Sequence, residues 1–403
     1  MSENSAPSNP NSSLPQGWRW VRLGECKINP PRPRDFNRAL DALTTFVPMA
    51  AVDEKTGTIA RPEVVPYSKV SKGYTYFEEN DVLFAKITPC MQNGKHVIAR
   101  NLIDGLGFGT TEFHVIRPNS EVMPEWIHFF IRQPWFLQEA IAYFTSSVGQ
   151  QRVPENFLAN YPVPLPPLFE QKRIAARVQE SMVEVEHAHT ACEKQLGAAK
   201  ALPAAYLRQV FESEEAKKWG RRRLGEVAKY INGRAFKPEE WKQIGVPIIR
   251  IQNLNDPSAI FNYYDGEVED RYRVNNGDLL VSWSASLGVY VWEQGDALLN
   301  QHIFKVEEYS DLALRDFLYF IVNYVMEEIK RHIHGATMQH ITKPEFERLY
   351  IPLPPLATQQ RIASELKDKM AQAEKLKEGI EEQLEAINAV PQAILKKAFS
   401  GEM

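Results

Sequence analysis

Pro164-Leu165-Pro166-Pro167-Leu168, followed by Gln171-Lys172-Arg173-Ile174-Ala175, returns as Pro352-Leu353-Pro354-Pro355-Leu356 and Gln359-Gln360-Arg361-Ile362-Ala363, at an offset of 188 in both cases. The same offset pairs Gln151 with Gln339, Glu193-Lys194-Gln195-Leu196 with Glu381-Glu382-Gln383-Leu384, and Pro203 with Pro391. It also pairs Leu207 and Phe211 with Leu395 and Phe399, so roughly 60 residues align without a gap. A repeat of this kind decides the architecture before any local propensity does. Upstream the register slips. Leu23-Gly24-Glu25 matches Leu224-Gly225-Glu226 at 201, and Asn80-Asp81-Val82-Leu83 resembles Gly277-Asp278-Leu279-Leu280 at 197. Leu23 to Gln151 is 128 positions and Leu224 to Gln339 is 115, so the halves differ by 13 residues ahead of a tail of fixed length.

The tail is helical. Val178, Val185, Cys192 and Ala199 recur every seven residues, as do Leu366, Ala373, Ile380 and Ile387. Ile174, Met182, Ala188 and Leu196, and Ile362, Met370, Leu376 and Leu384, widen the two stripes, with Glu, Lys, Gln and Arg between them. That is a long helix with one apolar seam. A stripe of this length needs a cover, and the reading adopted pairs the two helices as an antiparallel coiled coil rather than laying each on its own core. Ile174 to Ala201 spans roughly 40 Å as a helix, close to one turn of duplex DNA, about 34–36 Å. The Pro-Leu-Pro-Pro-Leu element stops the preceding strand and fixes the helix entry. Pro203 and Pro391 are expected to kink or restart the helices.

Ahead of each tail the pattern is mixed α/β. Val82–Phe84, Phe113–Ile116, Ile248–Ile251 and Leu279–Val281 read as short strands separated by Asn-Gly and Asp-Gly turns. Trp126–Phe144 and Leu314–His332 read as one helix each. The expected organisation is a disordered tail over 1–16, domains over 17–168 and 216–356, and helical spacers over 169–215 and 357–403.

Composition excludes several classes. In 403 residues, 44% hydrophobic and 24% charged, the balance is that of an ordinary globular chain. No uncharged apolar run is long enough to cross a bilayer, and the N-terminus lacks an apolar signal core. Cys26, Cys90 and Cys192 have neither disulfide nor zinc spacing, which points to a reducing cytoplasm. The net charge is −4, and no segment is strongly basic, so any DNA role must rest on local clusters or on a partner.

Catalytic motifs are weak. Asn29-Pro30-Pro31-Arg32 has arginine where amino-methyltransferases carry an aromatic residue that stacks on a flipped base. Gly105-Leu106-Gly107-Phe108-Gly109 precedes a strand rather than a helix, and reads as a structural turn. His332 and His334 have no ligand-spaced carboxylate or cysteine nearby. What remains is loop polarity at matching places in the two halves. In the first half Lys86, Thr88, Gln92, Asn93 and Lys95 flank a strand end, and Gln150, Gln151 and Arg152 precede the proline-rich strand. In the second half Arg250, Gln252 and Asn253 leave one strand, and Ser282, Trp283, Ser284 and Ser286 leave another. Thr337, Gln339, His340 and Lys343 precede the second proline-rich strand. Arg, Lys, Gln and Asn read base edges; Ser, Thr and Lys serve phosphates.

An α/β domain ending in PLPPL-x-x-Q-x-R-I-A and a long helix, twice over, closely resembles the specificity (S) subunit of Type I restriction–modification systems. Trp20-Val21-Arg22-Leu23-Gly24-Glu25, Phe108–Val115, Gly245–Leu254 and Leu299–Ile303 also look like that family. The resemblance implies two target recognition domains, each reading half of a split double-stranded DNA site, spaced by an antiparallel helix pair whose seam is Ile174, Val178, Val185, Cys192, Leu196, Ile362, Leu366, Ala373, Ile380 and Leu384. It implies a chain without catalytic residues, cofactor or metal of its own. It further implies two methyltransferase (M) subunits that bind S-adenosylmethionine, and restriction (R) subunits that use ATP and Mg²⁺. The assembled complex would methylate adenine, or translocate and cut unmodified DNA. The differing domain lengths imply an asymmetric target. The rival readings are a coiled-coil scaffold without a DNA role, and a methyltransferase or nuclease in its own right.

Overall fold

The computed structural model describes residues 14–54, 56–147, 150–256, 258–284, 287–332 and 342–403. The chain divides into two units: residues 1–192 with 383–403, and residues 193–382.

In the first unit the strands are β1 (Arg19–Arg22), β2 (Lys27–Ile28), β3 (Leu43–Val47), β4 (Glu63–Pro66), β5 (Thr75–Glu78), β6 (Val82–Ala85), β7 (His96–Ile98), β8 (Leu106–Gly109), β9 (Phe113–Arg117), β10 (Thr145–Ser147), β11 (Gln150–Arg152) and β12 (Pro162–Leu165). Its helices are α1 (Tyr67–Val70), α2 (Pro124–Ile131), α3 (Pro134–Ala142), α4 (Glu155–Asn160) and the start of α5 (Leu168–Phe211). Two four-stranded sheets, β2-β9-β6-β7 and β4-β3-β8-β5, carry the core, and β1 pairs with β12 beside them. Val82 to Ala85 are buried throughout, as a strand covered on both faces must be.

The second unit holds β13 (Gly220–Arg223), β14 (Ala228–Asn232), β15 (Val246–Ile249), β16 (Asn262–Tyr264), β17 (Arg273–Val274), β18 (Leu279–Ser282), β19 (Gly288–Val291), β20 (Ala297–Leu299), β21 (Ile303–Glu308) and β22 (Tyr350–Leu353). Its helices are α6 (Leu224–Val227), α7 (Ile251–Asn255), α8 (Arg315–His332), α9 (Lys343–Glu347) and the start of α10 (Leu356–Ser400). The sheet orders are β14-β21-β18-β19 and β16-β15-β20-β17, with β13 on β22. Apart from the β10–β11 pair of the first unit, this is the arrangement of the first unit's sheets.

Three local expectations need correction. Trp126–Phe144 is two helices, not one. Pro134 opens α3 and forbids a continuous turn, whereas Leu314–His332 has no proline and stays whole. Leu106–Gly109 is strand β8, not a turn. A Cβ on Gly107 would lie 2.5 Å from the Phe77 ring, and one on Gly109 would lie 2.9 Å from the Val47 carbonyl. The glycines let β8 pack tightly between β3 and β5. Of the kink or restart expected at Pro203 and Pro391, the restart does not occur: α5 and α10 run through both prolines.

The repeated glutamine explains the invariant spacing after the prolines. Gln171 is fully buried. Its Oε1 accepts from Met123 N at 2.8 Å, and its Nε2 donates to Glu121 O and Pro166 O at 2.8 and 2.9 Å. Gln359, equally buried, does the same with Leu314 N, Leu312 O and Pro354 O at 2.9, 2.9 and 2.8 Å. One side chain ties the helix entry to the backbone just ahead of α2 or at the start of α8, satisfying groups that burial would otherwise orphan.

Each unit is closed by a borrowed helix end. In the first, Ile174 and Val178 of α5 share a core with Leu395, Ala398 and Phe399 of α10. In the second, Ile362 and Leu366 of α10 share a core with Leu207 and Phe211 of α5. Within the second unit Lys200 meets Glu381 at 3.6 Å, Lys369 lies over the Tyr206 ring and Glu215 pairs with Arg361 at 3.3 Å. Numbers rise on one helix as they fall on the other, so the pair is antiparallel. The seam residues Ile174, Val178, Cys192, Ile362, Leu366, Ala373 and Ile380 are buried, while Val185, Leu196 and Leu384 are half-buried. Ala188 and Leu376, read as widening the stripes, are exposed. The seam is the narrow coiled-coil kind.

Candidate nucleic-acid interface

Of the sequence-selected polar residues, Lys86 and Trp283 follow the equivalent strands β6 and β18, and the structure sorts the rest. In the first unit Gln92, Asn93 and Gln151 are exposed, and Lys86 and Thr88 are half-buried. Lys95 is occupied: its Nζ donates to Val52 O at 3.0 Å. Arg152 forms a bidentate pair with Glu112, at 2.9 and 2.8 Å. This pair holds the Glu112 carboxyl below its usual range. Gln150 lies in β11.

In the second unit Gln252 is exposed, and Arg250 is half-buried, donating to Asn262 Oδ1 at 2.9 Å and lying over the Trp241 ring. Asn253 is turned inward. It is buried, its Oδ1 caps Arg250 N at 3.1 Å and its Nδ2 reaches Ala259 O at 3.1 Å. Ser282 is likewise fully buried. Trp283 and Ser284 are half-buried. Lys343 opens α9 and pairs with Glu347 at 3.4 Å. Ser286, Thr337, Gln339 and His340 lie outside the described residues.

Two clefts join some of these candidates to polar groups that were not among them. The first, about 540 Å³, is lined by Asn29, Arg32, Lys72, Tyr74, Tyr76 and Lys86, with Phe108 and Phe113 behind. Asn29 is a structural staple: its Oδ1 accepts from Val115 N at 3.0 Å and its Nδ2 donates to Glu155 at 2.7 Å. Arg32 donates to the Tyr67 hydroxyl at 2.7 Å and lies over the Phe36 ring. Burial pushes the Lys86 ammonium below its ordinary value. The second cleft, about 290 Å³, is lined by Phe236, Trp241, Arg250, Gln252 and Asn300-Gln301-His302. Asn300, Gln301 and Lys72 carry no periodicity or catalytic spacing, and Arg32 enters the sequence reading only as a catalytic-loop residue. Only the fold brings them to a cleft.

Each cleft includes one residue at an equivalent strand end, Lys86 in the first and His302 in the second. Ala85 pairs with Phe113 in the first unit, and Ser282 with Ile303 in the second. The next residues therefore correspond: Lys86 with Trp283, and Glu112 with His302. The backbone repeats the link, Lys86 N donating to Glu112 O at 2.9 Å and Trp283 N to His302 O at 3.2 Å. The scaffold is conserved between units and the side chains on it are not. Among the described residues, no group of three or more His, Cys, Asp or Glu is placed to hold a metal ion. No described helix is long and apolar enough to cross a membrane.

The family model for the Type I restriction modification DNA specificity domain matches twice, at residues 15–186 and 216–386. The chain belongs to that family. This Type I specificity chain is 36% identical over 206 residues to the EcoEI specificity subunit of Escherichia coli, covering 50% of this chain and 34% of that one. It thus spans about a third of that relative's length. It is 26% identical to the E. coli EcoAI specificity subunit, over 90% of this chain and 79% of the relative. Among solved structures, the HsdS subunit of Thermoanaerobacter tengcongensis superposes with a TM-score of 0.71 at 26% identity, covering 98% of this chain and 99% of that one. A chain from work on complex assembly and conformational transition of the type I R-M system gives 0.82 at 26% identity, covering 97% and 100%.

Proposed function

We propose that this specificity chain reads a bipartite, asymmetric double-stranded DNA site, one half with each unit, and is itself non-catalytic. In this reading it works in the cytoplasm and recruits two methyltransferase subunits carrying S-adenosylmethionine, and restriction subunits using ATP and Mg²⁺. The observation that carries the reading is a pair of four-stranded sheets repeated in both units with different side chains at equivalent strand ends, Lys86 against Trp283 and Glu112 against His302. A duplicated frame with divergent contacts suits two different half-sites, since base edges are told apart by side-chain chemistry.

The near-neutral charge argues for a partner. Non-specific affinity comes from neutralised phosphates, and a chain of net charge −4 supplies few. The isolated chain is expected to bind duplex weakly and to lose binding steeply with salt, while its methyltransferase partner tightens binding. A salt-titrated anisotropy assay with and without the partner tests this. Nanomolar, site-specific binding by the chain alone would refute partner dependence. Incubating the pure chain with labelled S-adenosylmethionine and DNA tests the non-catalytic reading: transfer of label would overturn it.

A further inference from the structure

Lysines drawn away from solvent in this chain have partners, with one exception. Lys95 Nζ and Lys305 Nζ donate to the Val52 and Arg273 carbonyls at 3.0 and 2.9 Å. Lys343 pairs with Glu347 and Lys377 with Glu374, and Lys369 lies over the Tyr206 ring. Lys86 is half-buried as well, yet its ammonium makes no hydrogen bond, ion pair or ring contact among the described residues. The two carboxylates whose charges reach it are engaged, Glu112 by Arg152 and Glu155 by Asn29. An ammonium held out of water without a partner gives up its proton more readily than an exposed one, and the free amine is a nucleophile.

The cleft around Lys86 supplies the rest of a site. Phe108 and Phe113, both buried, give it an apolar back. Arg32 is fixed in it. Its Nη1 donates to the Tyr67 hydroxyl at 2.7 Å and to Ser71 O at 3.2 Å, which leaves Nε and Nη2 to donate elsewhere. Lys72 adds an exposed ammonium. No Asp or Glu lies among the described lining residues. A fixed guanidinium and a lysine without a competing carboxylate suit a phosphate, and an apolar wall beside an amine suits a short acyl chain.

We propose that Lys86 is an acylation site, modified by a small acyl phosphate that sits in the first cleft with its phosphate on Arg32 and Lys72. The lone pair of Lys86 Nζ attacks the acyl carbonyl carbon. The C–N bond forms and the C–O bond to phosphate breaks. Phosphate leaves with the bonding pair and takes the surplus proton of the amine. The product is a neutral amide, so the cleft loses one positive charge. The second unit has Trp283 at the equivalent strand end, and its cleft has no lysine among the described lining residues. The modification therefore marks one unit only. It stands apart from the DNA-reading function, since the chemistry needs no DNA.

The test incubates the full-length chain with acetyl phosphate and follows acetylation at each lysine by peptide mass spectrometry. Lys86 should acquire the acetyl group several-fold faster than the exposed Lys27 and Lys242. Added inorganic phosphate should slow the reaction at Lys86 and leave those two unchanged. Lys72→Ala and Arg32→Gln should each bring Lys86 down toward the rate of the exposed lysines. With the N-hydroxysuccinimide ester of acetic acid, which carries no phosphate, both variants should acetylate Lys86 as fast as wild type does. A loss of rate with that ester too would mean that Arg32 and Lys72 support the fold rather than seat a phosphate, and would overturn the proposal. So would acetylation of Lys86 no faster than that of Lys27, or a rate at Lys86 that phosphate does not change. Phosphate competition is read on the unaltered chain, so the outcome does not hang on either variant folding.

Discussion

Gln171 shows how one residue can hold a unit together. Replacing it with leucine removes three hydrogen bonds, those to Met123 N and Glu121 O in part-buried surroundings and that to Pro166 O in buried ones. An orphaned buried group costs about 1–3 kcal/mol, so Gln171→Leu is expected to destabilise the first unit by roughly 2 kcal/mol. Denaturant melts read by near-ultraviolet circular dichroism would check it, and a cost under half that would count against the staple. The buried histidines set a pH dependence. His96 is buried against the Phe84 ring at 4.3 Å, accepts from Ala85 N at 3.2 Å on Nδ1, and leaves Nε2 unpartnered. His128 donates from Nε2 to His96 O at 2.9 Å. Burial drives both imidazoles down, His96 well below its ordinary value and His128 to about 4, with the Arg132 charge adding to the effect. Unfolded histidine titrates near 6.5. The folded state therefore binds fewer protons across that window. The histidine contribution is fully present above about pH 6.5 and is lost as pH falls toward 4, on the order of 3 kcal/mol for His128. Thermal melts of wild type and His128→Gln should diverge below pH 6.5, the variant showing the flatter dependence; parallel curves would contradict it.

At the scale of elements, the crossed ownership of helix ends has a consequence that mutation can separate. Phe399 belongs in sequence to the second repeat but packs at 4.4 Å on Trp126 and 5.5 Å on Phe130 in the first unit. Its counterpart Phe211 packs at 5.9 Å on Phe317 in the second. Phe399→Ala should cost about 3–5 kcal/mol and raise hydrogen exchange in α2 and α3. Phe211→Ala should do so in α8. Exchange rising in the repeat that owns the mutated helix would contradict this pairing. The helices themselves were legible because a seven-residue apolar period is a direct readout of one buried stripe. The break at Pro134 was legible in principle, since proline removes a turn's hydrogen bond and clashes with the preceding turn. The strand at Leu106–Gly109 was not, because glycine favours turns locally and only the Phe77 ring and the Val47 carbonyl pressing on it give glycine a reason to lie in a sheet.

For the whole molecule, the prediction concerns spacing. Inserting a heptad into each of the Ile174–Ala201 and Ile362–Gln383 stretches keeps the seam in phase. It is expected to change the gap between half-sites in the methylated motif and leave the half-site bases alone; altered bases with an unchanged gap would contradict a helical spacer. The duplication, the two long helices, their seam and the family were already written in the chain, because each is a periodicity, and a periodicity survives without coordinates. The clefts were not. Arg32, Lys72 and Lys86 are separated by tens of positions, and Trp283 meets His302 only because β18 pairs with β21. Sheet register, a long-range property, brings such residues together, and burial in the folded chain decides which polar side chains remain free: it consumes Asn253 and Ser282 and leaves Gln252 exposed.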